Sequence, residues 1–182
     1  MAAPDERSIL RSELRWAAAI GGVVAIIVIV IIATSLTMAL QPPSHVETID
    51  PETLHLEGEF IEANLGTRQS ADGTVTVRLI ATQYAFVPRC LPVPMDQPVT
   101  FRVTSPDVIH GLLVAGTNAN TMVVPGYVAE FTTEFREPGD HLMPCHEFCG
   151  LGHSEMWAVV RVVDEADWNP DENGRMTCDV LG

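Results

Sequence analysis

Between Ala17 and Leu40 the chain reads AAAIGGVVAIIVIVIIATSLTMAL, 24 residues without a charge. About 20 apolar residues carry a helix across bilayer hydrocarbon, where a spanning segment must satisfy its own backbone hydrogen bonds, so the run predicts a transmembrane helix over 17–40. A cleaved signal peptide would have a shorter apolar region, about 7–15 residues, followed by a small-x-small site. Met38-Ala39-Leu40 is a poor such site, and the segment reads as a retained anchor.

After Gln41-Pro42-Pro43, a helix stop, the stretch to Thr74 is polar and acidic with weak periodicity and a loop signal at Ser70-Ala71-Asp72-Gly73; it reads as linker and lead-in. From Thr74 to Val163 the period changes to two. In PVTFRVT, Val99, Phe101 and Val103 alternate with Thr100, Arg102 and Thr104; in AEFTTEF, Phe131, Thr133 and Phe135 alternate with Glu130, Thr132 and Glu134. Each pattern gives a strand with one buried and one wet face. Further strands are expected at 75–82, 111–115, 140–144 and 157–163, punctuated by turns such as Glu137-Pro138-Gly139-Asp140. About seven elements in this span, without helical periodicity, read as an all-β sandwich or barrel. The stretch 164–182 is acidic, short of core formers and expected on the surface, and no internal repeat is present.

Charge adds orientation. Arg7, Arg11 and Arg15 precede the apolar run, whereas the first charges after it are Glu47, Asp50 and Glu52. Basic flanks stay cytoplasmic, so residues 1–16 are expected inside and the C-terminal domain outside. Of 24 acidic and 10 basic groups, three of each lie before the anchor, leaving 21 acids against seven arginines after it; lysine is absent. Such a surface repels nucleic acid and would steer a basic soluble partner. An acidic, salt-adapted proteome is an equally good source of the same charge. At 182 residues there is room for one globular domain beside the anchor.

The chemistry concentrates in CHEFCGLGHSEM, residues 145–156, which brings Cys145, His146, Cys149, His153 and Met156 together. Thiolate, imidazole and thioether suit copper, and two histidines, one cysteine and a weak axial methionine make a one-copper electron-transfer site. Calcium and magnesium would want oxygen ligands. Here there is a cysteine beyond that recipe, and two thiolates in one tight loop can each bridge two metals. A distant imidazole is still needed, and His110 in TSPDVIHGLLV stands at a strand start. Three other readings remain open: a Cys145–Cys149 disulfide, which leaves His153 and Met156 without a role; structural zinc, for which the spacing is unusual; and His146 as ligand in place of His153. Adjacent residues of an extended segment point oppositely, so His146 is expected to face away from the metal that Cys145 binds.

This loop resembles the binuclear copper loop of cytochrome c oxidase subunit II. SPDVIHGLLVAGTN (105–118), the VPG at 124–126, the EPGDHLMPC run and CGLGH look especially like the B family of haem-copper oxidases, whose subunit II also has one membrane helix. The resemblance covers the anchor and about residues 75–163. It implies an all-β cupredoxin-like Greek-key sandwich with one N-terminal transmembrane α-helix. Carried over residue by residue, Cys145 and Cys149 would bridge two coppers, His110 and His153 would ligate one each, Met156 would be a weak ligand, and Glu147 would offer its backbone carbonyl.

Where many relatives place tryptophans as an electron entry, this chain has Gln83-Tyr84-Ala85-Phe86, which makes Tyr84 or Phe86 the expected entry. Glu147 matches the larger A family, where the side chain also helps hold magnesium at the boundary with subunit I. Glu13, three residues before Trp16, resembles a carboxylate marking proton entry in B-family enzymes, with an ordinary solvated glutamate as the alternative. The implied role is electron relay from a soluble cytochrome c or small copper protein to a haem-bearing catalytic subunit. The copper subunit of a nitric oxide reductase and a membrane-anchored copper-delivery protein are the alternatives. Cys90 and Cys178 could pair in an oxidising compartment, but the sequence does not bring them together.

Overall fold

In the computed structural model, which describes residues 5–37 and 47–178, the apolar run forms α1, Glu6–Thr37. Its 32 residues correspond to about 48 Å at 1.5 Å per residue, against a hydrocarbon core of about 30 Å. The helix is long and apolar enough to cross a membrane. It starts well before Ala17, so residues 6–16 continue the helix where a tail was expected; residues 38–40 of the expected span lie outside the described residues. Asp5 opens it, its carbonyl accepting from the Ser8 N–H at 2.8 Å and the Ser8 hydroxyl at 2.6 Å. Within the apolar stretch the Thr34 hydroxyl donates back to the Val30 carbonyl at 2.9 Å, so this polar group finds its partner on its own helix.

The second unit, described over residues 47–178, is built of strands. In chain order they are β1 (Glu47–Thr48), β2 (Gly66–Gln69), β3 (Val75–Thr82), β4 (Ala85–Val87), β5 (Cys90–Pro94), β6 (Pro98–Thr104), β7 (His110–Leu113), β8 (Asn120–Val123), β9 (Tyr127–Glu134), β10 (Gly139–Pro144), β11 (Trp157–Val163) and β12 (Arg175–Met176). One sheet runs β1-β9-β6-β3-β2-β12 with β4 added to β3, a second runs β10-β11-β5, and β7 pairs with β8. The β3–β6 and β11–β5 pairs are parallel and the other pairs antiparallel.

Alternation does what the sequence pattern requires. Val75, Val77, Leu79 and Ala81 of β3 and Val99, Phe101 and Val103 of β6 are buried against Leu91 and Val93 of β5 and Ala158, Val160 and Val162 of β11. The inner faces of two sheets thus share one core, the mostly β cupredoxin-like domain that was expected. Phe131 stacks on Phe101 with centroids 5.1 Å apart, and Phe135 meets Phe101 at 6.2 Å. Strand β5 escapes a pattern-based reading because Cys-Leu-Pro-Val-Pro has two residues without N–H; it is accommodated at a sheet edge.

Two expectations are corrected. The described part of the lead-in is folded: β1 pairs β9, β2 pairs β3, and Leu54, Phe60 and Leu65 form a second small core with Ile49, Ile80 and Val128. Arg102 fixes it electrostatically, joining Glu59 and Glu47, each at 2.7 Å from its Nη2, and Glu130, while Arg78 meets Glu59 at 2.7 Å. Burial acts to raise the Glu59 pKa, but the two guanidinium groups outweigh it and hold the carboxyl below its ordinary value.

The C-terminal stretch, expected as surface, is also tied down. Met176 of β12 is buried, Trp168 packs on the core with its Nε1 donating to Gln69 at 3.1 Å, and Cys178 is disulfide-bonded to Cys90. Trp168, Met176 and Cys178 are isolated apolar positions in an otherwise polar stretch, which is why composition alone misplaces the segment.

Candidate metal centre

Loop 145–156 hangs from the β10–β11 ladder. Pro144 and Trp157 are the last cross-strand pair, and the Cys145 N–H donates to the Met156 carbonyl at 2.9 Å, closing the base of the loop. Its far side is a 3₁₀ turn, His153–Glu155, held by His153 N–H to Gly150 O at 3.1 Å and Met156 N–H to His153 O at 3.2 Å. Residues three apart eclipse in such a turn, so His153 and Met156 present their side chains to one side.

His110 starts β7 after a turn organised by its own side chains. The Ser105 hydroxyl donates to the Val108 carbonyl at 2.7 Å, and the Val108 N–H donates to Asp107 Oδ1 at 2.7 Å. The same oxygen lies 2.9 Å from His110 Nε2, which leaves Nδ1 of this fully buried imidazole turned to the loop.

The donors converge. Cys145 Sγ is 3.9 Å from His110 Nδ1, 3.9 Å from Cys149 Sγ and 3.2 Å from the Glu147 carbonyl oxygen. Cys149 Sγ is 3.7 Å from His153 Nδ1 and 3.7 Å from Met156 Sδ. Among the described residues, His110, Cys145 and Cys149 are grouped with donor atoms within 4.8 Å of one another, and both cysteines are buried and unpaired.

A disulfide needs about 2.05 Å between sulfurs, and 3.9 Å is far beyond it. Two metal–sulfur bonds of about 2.3 Å each reach across such a gap, so one ion can touch both thiolates. Soft sulfur with imidazole nitrogen fits copper. In the metal-free protein, burial first, then neighbouring Cys145, push the Cys149 thiol up to about 11.

His146 is not in this group. Its ring lies against Gly111, where a Cβ would meet it at 2.6 Å, and its backbone N–H donates to the Gly111 carbonyl at 3.4 Å. The Glu147 side chain is partly exposed, with its carboxylate 3.9 Å from His146 Nδ1.

Of the two expected entry residues, Phe86 is fully buried in the core and cannot meet a soluble carrier: it is an aromatic ahead of the site, but β4 turns it inward. Tyr84 is 37% exposed and lies over Gly150 and Gly152 of the loop. Glu13 is an exposed residue of α1, in the other unit.

Two residues were missed. Asp107 orients His110, and its position three residues upstream was a readable signal. Burial acts to raise its pKa, but donation from the Gln83 N–H, His110, the Val108 N–H and the Thr82 hydroxyl outweighs this and holds the carboxyl well below the usual range. Trp157 follows Met156 directly and is half exposed, beside a depression lined by Leu142, Pro144, Cys145, His153 and Met156.

A family model described as cytochrome C oxidase subunit II, periplasmic domain, matches residues 70–163. Cytochrome c oxidase subunit 2 of Thermus thermophilus is 35% identical over 126 residues, covering 69% of this chain and 93% of the relative. The protein of that name from Cereibacter sphaeroides is 34% identical over 87 residues, 48% of this chain and 27% of the relative. A chain of a solved heme-copper terminal oxidase dimer superposes with a TM-score of 0.60 at 25% identity, covering 84% of this chain and 99% of that one.

Proposed function

The chain belongs to the cytochrome c oxidase subunit II family, and from that premise we propose that it takes electrons from a soluble carrier at a two-copper centre and hands them to haem in a catalytic subunit. Membership alone makes it the electron-transfer subunit of an oxidoreductase complex with a copper-binding domain and a subunit I partner. The two-metal count, the donor and the direction of flow are our reading.

The observation that carries the reading is the pair of buried, unpaired thiols 3.9 Å apart, ringed by two imidazoles, a thioether and a backbone carbonyl. Cys145 and Cys149 would bridge, His110 and His153 would cap the two ends, and Met156 and the Glu147 carbonyl would be weak ligands. The bound pair would supply one-electron redox chemistry with the charge change shared over two metals. The chain's own contribution is stiffness. His110 is fixed by Asp107 from behind, and Cys145 and Met156 are locked by a ladder hydrogen bond, so oxidation and reduction need little rearrangement.

The acidic domain supports a basic carrier, with Tyr84 as its entry point. Basic residues before α1 support a cytoplasmic N-terminus with the copper domain outside. Magnesium through the Glu147 carboxylate at the boundary with subunit I, and proton entry near Glu13, belong to the same proposal.

The test is the complex purified from native membrane and mixed with reduced carrier. Copper should be reduced before haem, and a Cys145→Ser/Cys149→Ser variant that still holds the haem subunit should lose fast haem reduction. Haem reduction at the original rate in that variant would overturn the proposal.

A further inference from the structure

The tip of the β3–β4 hairpin reaches both halves of the metal centre. The Gln83 side-chain Nε2 donates to the Cys149 carbonyl at 2.5 Å, and the Gln83 backbone N–H donates to Asp107 Oδ2 at 2.7 Å. The Thr82 hydroxyl donates to the same oxygen at 2.9 Å, while Asp107 Oδ1 holds His110 Nε2 at 2.9 Å. One residue on, the Tyr84 ring covers the loop, where a side chain at position 152 would meet it at 2.6 Å.

The backbone bond from the His146 N–H to the Gly111 carbonyl also ties the loop to the His110 strand, and Gln83 adds a second tie at the Cys149 carbonyl. The carbonyl of Cys149 belongs to the peptide that leads into Gly150, whose φ of +133° is a conformation that side-chain-bearing residues rarely adopt. Glycine there leaves the backbone free to turn, and the direction of the Cys149 side chain follows that peptide. His110 comes from a different strand, and no backbone hydrogen bond joins it to Cys149.

We propose that Gln83 is a positioning residue of the metal centre: by tying the Cys149 carbonyl to the Asp107–His110 pair, it holds the two ligand-bearing segments at a fixed separation. This rests on the reading of the site as a copper centre. Outer partners of ligands affect metal affinity about 10- to 100-fold when removed, although they touch no metal. Gln83 is exposed, so its side chain is not needed to fill the core.

The experiment uses the full chain in detergent. Gln83→Leu should hold copper about tenfold less tightly against a chelator, with the melting temperature of the metal-free protein unchanged. Gln83→Lys, which restores a donor of similar reach, should recover most of the loss. In the metal-free chain, oxidised glutathione should close Cys145 and Cys149 into a disulfide faster in Gln83→Leu than in the unaltered protein, releasing two glutathione thiols per disulfide. Equal copper retention and equal closure rates would overturn the proposal. So would a loss of copper that only tracks a lowered melting temperature. An unaltered chain that takes up no copper would refute the ligand reading, and the closure rates would still decide the role of Gln83.

Discussion

Asp107 Oδ1 lies 2.9 Å from Nε2 of His110, so the imidazole that faces Cys145 with its other nitrogen is held from behind by a carboxylate. Such a bond fixes the ring's tautomer and orientation and raises its basicity as a ligand. Asp107→Asn keeps the shape but must turn its NH2 toward either His110 or the Gln83 N–H. Copper affinity should fall about 10- to 100-fold, measured by chelator competition. An unchanged affinity would mean that His110 is oriented by packing alone.

Acid should unfold the outer domain through two carboxylates. The pKa values of Asp107 and Glu59 are depressed in the folded protein, so their contribution is present above the ordinary carboxylate range and is lost as pH falls through it. Melting temperature should drop from about pH 5 downward, and Glu59→Gln should flatten part of the fall. A flat profile to pH 3 would contradict the assignment.

The Cys90–Cys178 disulfide closes a long loop across a sequence separation of 88 residues and fastens the C-terminal stretch to β5. Cys178→Ser should cost about 2–5 kcal/mol in denaturant unfolding. Copper content should stay the same, because neither cysteine is part of the metal group. Loss of copper in this variant would show that the tail supports the loop.

How far the sequence could be read depends on whether a residue's neighbours are local. The alternation in β6 and β9 is a periodic signal, and those strands and the one expected at 75–82 formed where the sequence placed them; the apolar run lies in α1, which begins earlier, at Glu6. Of the six proposed donor positions, Cys145, Cys149, His153 and Met156 came from local spacing and Glu147 from the resemblance alone; His110 had to be drawn in from another strand. Phe60, Met176 and Trp168 carry no period, and their burial depends on partners far along the chain. The inward turn of Phe86 likewise depends on β4 joining β3, which no spacing around Tyr84 reveals.

Copper uptake should release protons. The metal-free Cys149 thiol is pushed up to about 11, whereas a ligand must be a thiolate, so loading displaces a proton throughout the neutral range. Copper affinity should therefore rise with pH between about 6 and 8, and Cys149→Ser should flatten that slope. The metal-free domain should also lose stability between pH 9 and 11, where the unfolded thiol ionises and the buried one does not. A pH-independent affinity would remove Cys149 from the ligand set.

The central claim is that Cys145 and Cys149 share two coppers, and metal content read together with electron paramagnetic resonance on the purified full chain tests it most directly. The account predicts two coppers per chain with a delocalised mixed-valence resonance, abolished in Cys149→Ser. A single labile copper, or a Cys149→Ser protein that keeps the two-metal spectrum, would contradict it.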